Sequence, residues 1–76
     1  MASTTAAAGY QVRLTETAGW AVRITSYSLG AAWIAVADNV DPGATVARCR
    51  GESRERAEAD ALRLASERLA ATRLRG

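Results

Sequence analysis

The 76-residue sequence has no lysine, histidine or phenylalanine, and it contains a single cysteine and a single proline. Without histidine, and with Cys49 as the only thiol, it cannot supply a Ser/His or Cys/His catalytic pair or a Cys/His metal cluster. No glycine-rich stretch has the spacing of a phosphate-binding loop. We therefore expect a protein that is not an enzyme and that uses no metal or other cofactor.

Long hydrophobic segments are also missing. No run of 18 apolar residues could span a membrane, and the first eight residues lack the basic start and apolar stretch of a secretory signal. A lone cysteine excludes an intrachain disulfide and fits a reducing compartment. We expect a cytoplasmic protein without a membrane partner, with a disordered leader over residues 1–9 and one domain over residues 10–76.

The sequence has only a small excess of positive charge. The net charge is +2, and the ten basic residues are all arginine. Four of them lie in residues 1–51 beside three acids, and six lie in residues 52–76 beside five acids, so no polyanion-binding block stands out. Codon usage in a genome rich in G and C is the favoured explanation of the all-arginine composition, and selection for guanidinium chemistry is the alternative. In either case the guanidinium fork binds carboxylates or phosphates in bidentate fashion.

Alternation of apolar and polar residues predicts strands over residues 10–16, 20–27 and 44–50, and an apolar run predicts an interior strand over residues 31–37. Turns are expected at Gly19, at Gly30 and at the Asp41-Pro42-Gly43 segment. The carboxylates of Asp38 and Asp41 are interpreted as part of that last turn.

One helix is predicted over residues 53–74. Ser53 is a good N-cap residue, and the pairs Arg56/Asp60 and Arg63/Glu67 have the spacing that brings side chains together on a helix. The stripe that should meet the sheet contains Ala57, Ala61, Leu62, Leu64, Ala65, Leu69 and Thr72. The predicted fold class is α+β, with an antiparallel meander sheet of three to four strands and one C-terminal helix packed on one face.

Alternation also assigns side chains to the two faces of the sheet. Toward the helix we expect Val12, Leu14, Trp20, Val22, Ile24, Ile34 and Val36. On the opposite face we expect Gln11, Arg13, Thr15, Arg23, Thr25, Tyr27, Trp33, Arg48 and Arg50. Arginine interleaved with aromatic rings is typical of interface hot spots and of base-stacking platforms. The predicted partner-binding residues are therefore Arg13, Arg23, Tyr27, Trp33, Arg48 and Arg50.

Two alternatives stay open at this point. Trp33 could face the helix, which would leave Ile34 and Val36 on the far side. Cys49 is expected to be a small core residue, and the alternative is a reactive thiol activated by Arg48 and Arg50.

The order of strands and helix, together with the Ser53-x-x-x-Ala57-x-x-x-Ala61 start of the helix, resembles the second half of double-stranded-RNA-binding-type modules. It is also similar to the small HicB-type antitoxins, which have such a partial fold. RNA-binding members usually begin this helix with adjacent basic residues, whereas here Arg54 is followed by Glu55. In size and architecture the chain also resembles small phage inhibitors, including anti-CRISPR proteins.

The sequence therefore favours a small non-enzymatic protein-binding module, a regulator or inhibitor that acts by occupying the surface of a larger protein or complex. The alternative is a nucleic-acid-binding module that uses the same Arg/aromatic sheet face. A chain of this length buries only about 60% of its unfolded surface, so a homodimer also has to be considered.

Overall fold

The computed structural model describes residues 8–40 and 43–75, with side chains described as far as Ala71. The elements follow in the order β1 (Ala8–Thr17), β2 (Trp20–Leu29), β3 (Ala32–Asn39), β4 (Thr45–Gly51) and α1 (Arg54–Arg75). The strands form one open antiparallel sheet in the order β1-β2-β3-β4. The predicted α+β class, with a meander sheet and a C-terminal helix, is confirmed.

The predicted boundaries differ slightly from the observed ones. Strand β1 begins at Ala8, so the leader predicted over residues 1–9 was drawn two residues too long, and its residues 1–7 lie outside the described part. Asp41 and Pro42 of the predicted turn also lie outside it. Gly43 has a φ of 99°, the positive value that was expected for that position.

Two-residue loops close the first two hairpins. Ala18 and Gly19 have φ values of 53° and 81°, as a type I′ turn requires, and Gly30 begins the second loop with a φ of 65°, as in a type II′ turn. These turns pair Thr17 with Trp20 and Leu29 with Ala32. They thereby fix which residues of β1, β2 and β3 share a face.

Small residues line the contact between sheet and helix. Ala35, Ala37, Ala57, Ala61 and Ala65 are fully buried, and Ala47 is nearly so. Val22, Ile24 and Leu69 complete the buried core, and Leu62, Leu64 and Cys49 are partly buried against it. The predicted helix stripe is therefore confirmed as far as its side chains are described, and Cys49 packs against the core as expected.

The start of α1 is tied closely to the end of β4. The Ser53 hydroxyl accepts a hydrogen bond from the amide of Arg56 at 3.1 Å, which confirms the predicted N-cap. A Cβ added at Gly51 would lie 2.9 Å from the backbone nitrogen of Ala57 and 3.2 Å from its Cα. Glycine at this position therefore lets the first helical turn fold back against the strand.

The solvent side of α1 carries the predicted ion pairs. Arg56 lies 3.7 Å from Asp60, and Arg63 lies 3.6 Å from Glu67 and 3.7 Å from Asp60. These exposed pairs contribute little to stability, but they neutralise this face of the helix.

The helix holds β1 through polar contacts rather than through the apolar core. Glu58, which is 9% exposed, accepts a hydrogen bond from the fully buried Ser26 hydroxyl at 2.6 Å and pairs with Arg13 at 3.2 Å. The Arg54 guanidinium donates to the Gln11 side chain and to the Gly9 carbonyl. Thr17 and Ser66 share a further hydrogen bond.

Replacing Gly51 by alanine should destabilise the protein. The new methyl group would collide with the backbone of Ala57, and overpacking of this kind costs about 1–3 kcal/mol. Thermal unfolding should show a melting temperature lower by at least about 4 °C. A G51A variant with the same melting temperature as the wild type would show that the β4–α1 junction can widen without loss of stability.

A double-mutant cycle should detect the Ser26–Glu58 hydrogen bond. Glu58→Ala leaves the buried Ser26 hydroxyl without its acceptor, and we expect a loss of about 1–3 kcal/mol in the free energy of unfolding. Because Ser26→Ala removes the unsatisfied group, the double variant should lose less than the sum of the two single losses. Glu67→Ala, on the solvent side of the same helix, is the matched control and should change stability by less than about 0.5 kcal/mol. Strictly additive losses would contradict the contact.

Candidate functional site

The face of the sheet opposite the helix is called the open face here. Val22, Ile24 and Ser26 of β2 are buried under α1, so the alternate residues of β2 and their cross-strand partners point the other way. This face contains Tyr10, Val12, Leu14, Glu16, Ala21, Arg23, Thr25, Tyr27, Leu29, Ile34, Val36, Asp38, Arg48 and Arg50.

Apolar side chains occupy the middle of the open face and its β1 side. Tyr10, Val12 and Leu14 are 64%, 59% and 70% exposed, and Ile34 and Val36 on β3 are half-buried. Arg23, Thr25 and Tyr27 of β2 lie between these two apolar groups. Exposed apolar groups bordered by polar side chains mark an interaction site more often than single scattered residues do. The open face is therefore the candidate site.

Two tyrosines of the open face contact each other, and one of them contacts an arginine of β4. The rings of Tyr10 and Tyr27 are stacked, with centroids 5.0 Å apart and an interplanar angle of 21°. Arg48 donates a hydrogen bond to the Tyr27 hydroxyl at 3.4 Å. Arg48 and Arg50 lie directly opposite Val36 and Ile34, so guanidinium groups border the aliphatic side chains along β4.

The charges of the open face are mixed. Arg23 and Asp38 are cross-strand neighbours, and the Asp38 carboxylate accepts a hydrogen bond from the Thr45 hydroxyl at 2.8 Å. Glu16 lies near the end of β1, on the same side as Leu14. The acidic groups therefore lie toward one end of the strands, whereas Arg50 lies toward the other and Arg48 lies in the row between them.

Four of the six predicted partner-binding residues lie on this face: Arg23, Tyr27, Arg48 and Arg50. Arg13 and Trp33 were assigned to the wrong side. Arg13 lies opposite the buried Ile24 and pairs with Glu58. Trp33 packs against the core, and the Arg54 guanidinium lies 4.5 Å from the centroid of its ring.

Several residues that the alternation placed under the helix were also assigned to the wrong face. Val12, Leu14, Ile34 and Val36 lie on the open face, while Gln11 and Thr15 lie on the helix side. The physical reason is the register. The turn at Ala18 and Gly19 pairs Leu14 with Arg23 and Val12 with Thr25, so the apolar side chains of β1 share a face with the polar ones of β2.

Apart from the open face, there is a concave region where β4 meets α1. A cavity of about 500 Å³ is lined by Arg50, Gly51, Glu52, Ser53, Arg56 and Asp60. Its charges are mixed, and Arg56 is already paired with Asp60. Among the described residues there is no group of three histidine, cysteine or acidic side chains that could hold a metal ion. This region is a weaker candidate than the open face.

No helix in the described part of the chain is long and apolar enough to cross a membrane. Comparison with models of known protein families gives no match for this sequence, and neither the curated proteins nor the solved structures contain a significant match. The resemblance to HicB-type antitoxins and to double-stranded-RNA-binding-type modules therefore stays a prediction.

Proposed function

We propose that this chain is a small non-enzymatic protein-binding module that regulates or inhibits a larger protein by covering part of its surface. The observation that carries the proposal is the open face, where Val12, Leu14 and Tyr10 of β1 are largely exposed. They share this face with Ile34 and Val36 of β3, on the other side of β2. An antitoxin-like regulator and a phage inhibitor of the anti-CRISPR kind would both act in this way, in keeping with the resemblances of the sequence.

The composition of the open face supports a protein partner. Fully burying one aliphatic or aromatic side chain contributes about 1.5–3 kcal/mol, and tyrosine and arginine are enriched among the residues that dominate binding energy. The rings of Tyr10 and Tyr27 stack on each other, and Arg48 donates a hydrogen bond to the Tyr27 hydroxyl. Side chains of this protein that are restrained by such contacts lose less conformational entropy when a partner binds.

Nucleic-acid binding through the same face is the second candidate, because Tyr27 stacks on Tyr10 and accepts a hydrogen bond from Arg48. A single strand binds such a face by stacking bases on the rings and placing phosphates at the guanidinium groups. The acidic side chains of Asp38 and Glu16 on the same face, and the exposed aliphatic side chains of Val12 and Leu14, favour a protein.

Site-specific photo-crosslinking should identify the partner-binding surface. With p-benzoylphenylalanine at Thr25, in the middle of the open face, we expect covalent adducts with a partner protein in cells that naturally contain it. The same probe at the exposed Ala59 of α1 is the matched control and should give none. Val36→Lys should abolish the Thr25 adducts, because it places an ammonium group among the apolar side chains. Equal labelling from Thr25 and Ala59 would contradict the proposal.

Salt dependence separates the two candidates. Phosphate contacts release counterions, so nucleic-acid affinity falls steeply as salt rises. We expect labelled random-sequence DNA and RNA, followed by fluorescence anisotropy, to show no tight binding to this protein at low salt. Binding that weakens steeply with salt, and that an Arg48→Ala/Arg50→Ala variant loses, would instead favour the nucleic-acid candidate.

A further inference from the structure

Strand β1 forms an open edge of the sheet. It pairs with β2 alone, so its outer side has no strand partner in the described sheet. The strand is ten residues long, and its side chains from Tyr10 to Leu14 are all exposed. Native proteins usually protect a long edge strand of this kind, because it is a template for pairing with another chain.

The hairpin geometry shows which backbone groups are free. In a two-residue hairpin the residues that flank the loop, here Thr17 and Trp20, exchange hydrogen bonds, and bonded pairs alternate along the strands. Thr15 and Arg13 therefore bond to β2. The N–H and C=O groups of Leu14 and Val12 point away from the sheet, toward the free edge.

The other edge of the sheet is protected, in contrast to β1. Arg68 of α1 donates a hydrogen bond to the Val46 carbonyl of β4 at 2.6 Å. Register shifts occur in both edge pairings, between Ala37 and Asp38 in β3–β4 and between Ala8 and Gln11 in β1–β2, but the second leaves β1 regular from Gln11 to Thr17. Strand β1 has neither lysine nor proline along its length, and its one charged residue on the helix side, Arg13, pairs with Glu58.

The side-chain sequence of β1 is complementary to itself in antiparallel pairing. If Val12 faces Val12 of a second copy, Tyr10 faces the second copy's Leu14, and Gln11 faces its Arg13. Apolar side chains then meet on the open face. On the helix side no like charges face each other, since Gln11, which accepts a hydrogen bond from Arg54, lies opposite Arg13, which pairs with Glu58. Centring the pairing on Arg13 would place two like charges directly opposite each other, which is destabilising.

We propose that β1 pairs antiparallel with β1 of a second copy of this chain, about a two-fold axis at Val12, to form a continuous eight-stranded sheet. The helices of both copies then lie on one side and their open faces join on the other. The dimer leaves the middle of each open face uncovered, so the inference does not depend on the proposed function. One strand pair is smaller than a standard interface of about 1,600 Å², so we expect dissociation in the micromolar range.

Sedimentation velocity over a range of concentrations tests this pairing. The wild type should shift from monomer to dimer as concentration rises, and Val12→Pro should weaken the dimer at least tenfold, because proline removes the outward N–H at Val12 and leaves the bonds to β2 intact. Val12→Thr keeps that N–H and a β-branched side chain, so it is the matched control. Circular dichroism verifies that each variant is folded.

Cysteine crosslinking tests the register and does not require Val12→Pro to fold. In a Cys49→Ser background, Val12→Cys should form a disulfide-linked dimer on mild oxidation, since two cysteines directly opposite each other in an antiparallel pair lie within reach of a disulfide. Leu14→Cys should not, because the two copies of residue 14 would lie about 13 Å apart. Ala59→Cys on α1 is the second control.

A protein that stays monomeric at all concentrations would overturn the inference, and so would equal crosslinking from Val12→Cys and Leu14→Cys. A dimer that Val36→Lys abolishes and Val12→Pro leaves intact would show that two open faces pack together instead. Because Val36 is in the interior of the sheet and Val12 is at its edge, failure of this inference and failure of the proposed function are separately visible.

Discussion

A two-residue turn determines which side chains the rest of the molecule can use. The positive φ values of Ala18 and Gly19 close the first hairpin with Thr17 opposite Trp20, and from there every residue of β1 is assigned to a face. This register places polar side chains of β1 under the helix and apolar ones on the open face. A shift of one residue would reverse that arrangement.

The helix then sets how much of the sheet can be covered. Its alanines pack closely against Ala35 and Ala37 of β3 and Ala47 of β4. A single helix is about 10–12 Å wide with side chains, which is narrower than four strands spaced about 4.8 Å apart. Strand β1 is therefore reached by polar side chains of the helix, namely Arg54, Glu58 and Ser66. One sheet face and one strand edge remain available for other molecules.

Much of the fold could be predicted from local patterns, since alternation, the Gly-containing turns, Ser53 and the alanine stripe each depend on neighbouring residues. The faces of β1 and β3 could not. Strand β3 is apolar on both sides, so its sequence pattern does not show which of its faces meets the helix. That assignment depends on the close contact with the helix, which accommodates Ala35 and Ala37 but not the bulkier Ile34 and Val36. For β1 the sequence contained a usable signal: counting outward from the turn at Ala18 and Gly19 pairs Val12 and Leu14 with Thr25 and Arg23.

The two kinds of fluorescent side chain lie on opposite sides of the sheet. Trp20 and Trp33 both pack on the helix side, with Arg54 over the Trp33 ring, whereas Tyr10 and Tyr27 are stacked on the open face. Tryptophan emission will therefore report how firmly the helix is docked and will respond little to a molecule that binds to the opposite side of the sheet. The tyrosine pair is the intrinsic probe that such a molecule would touch.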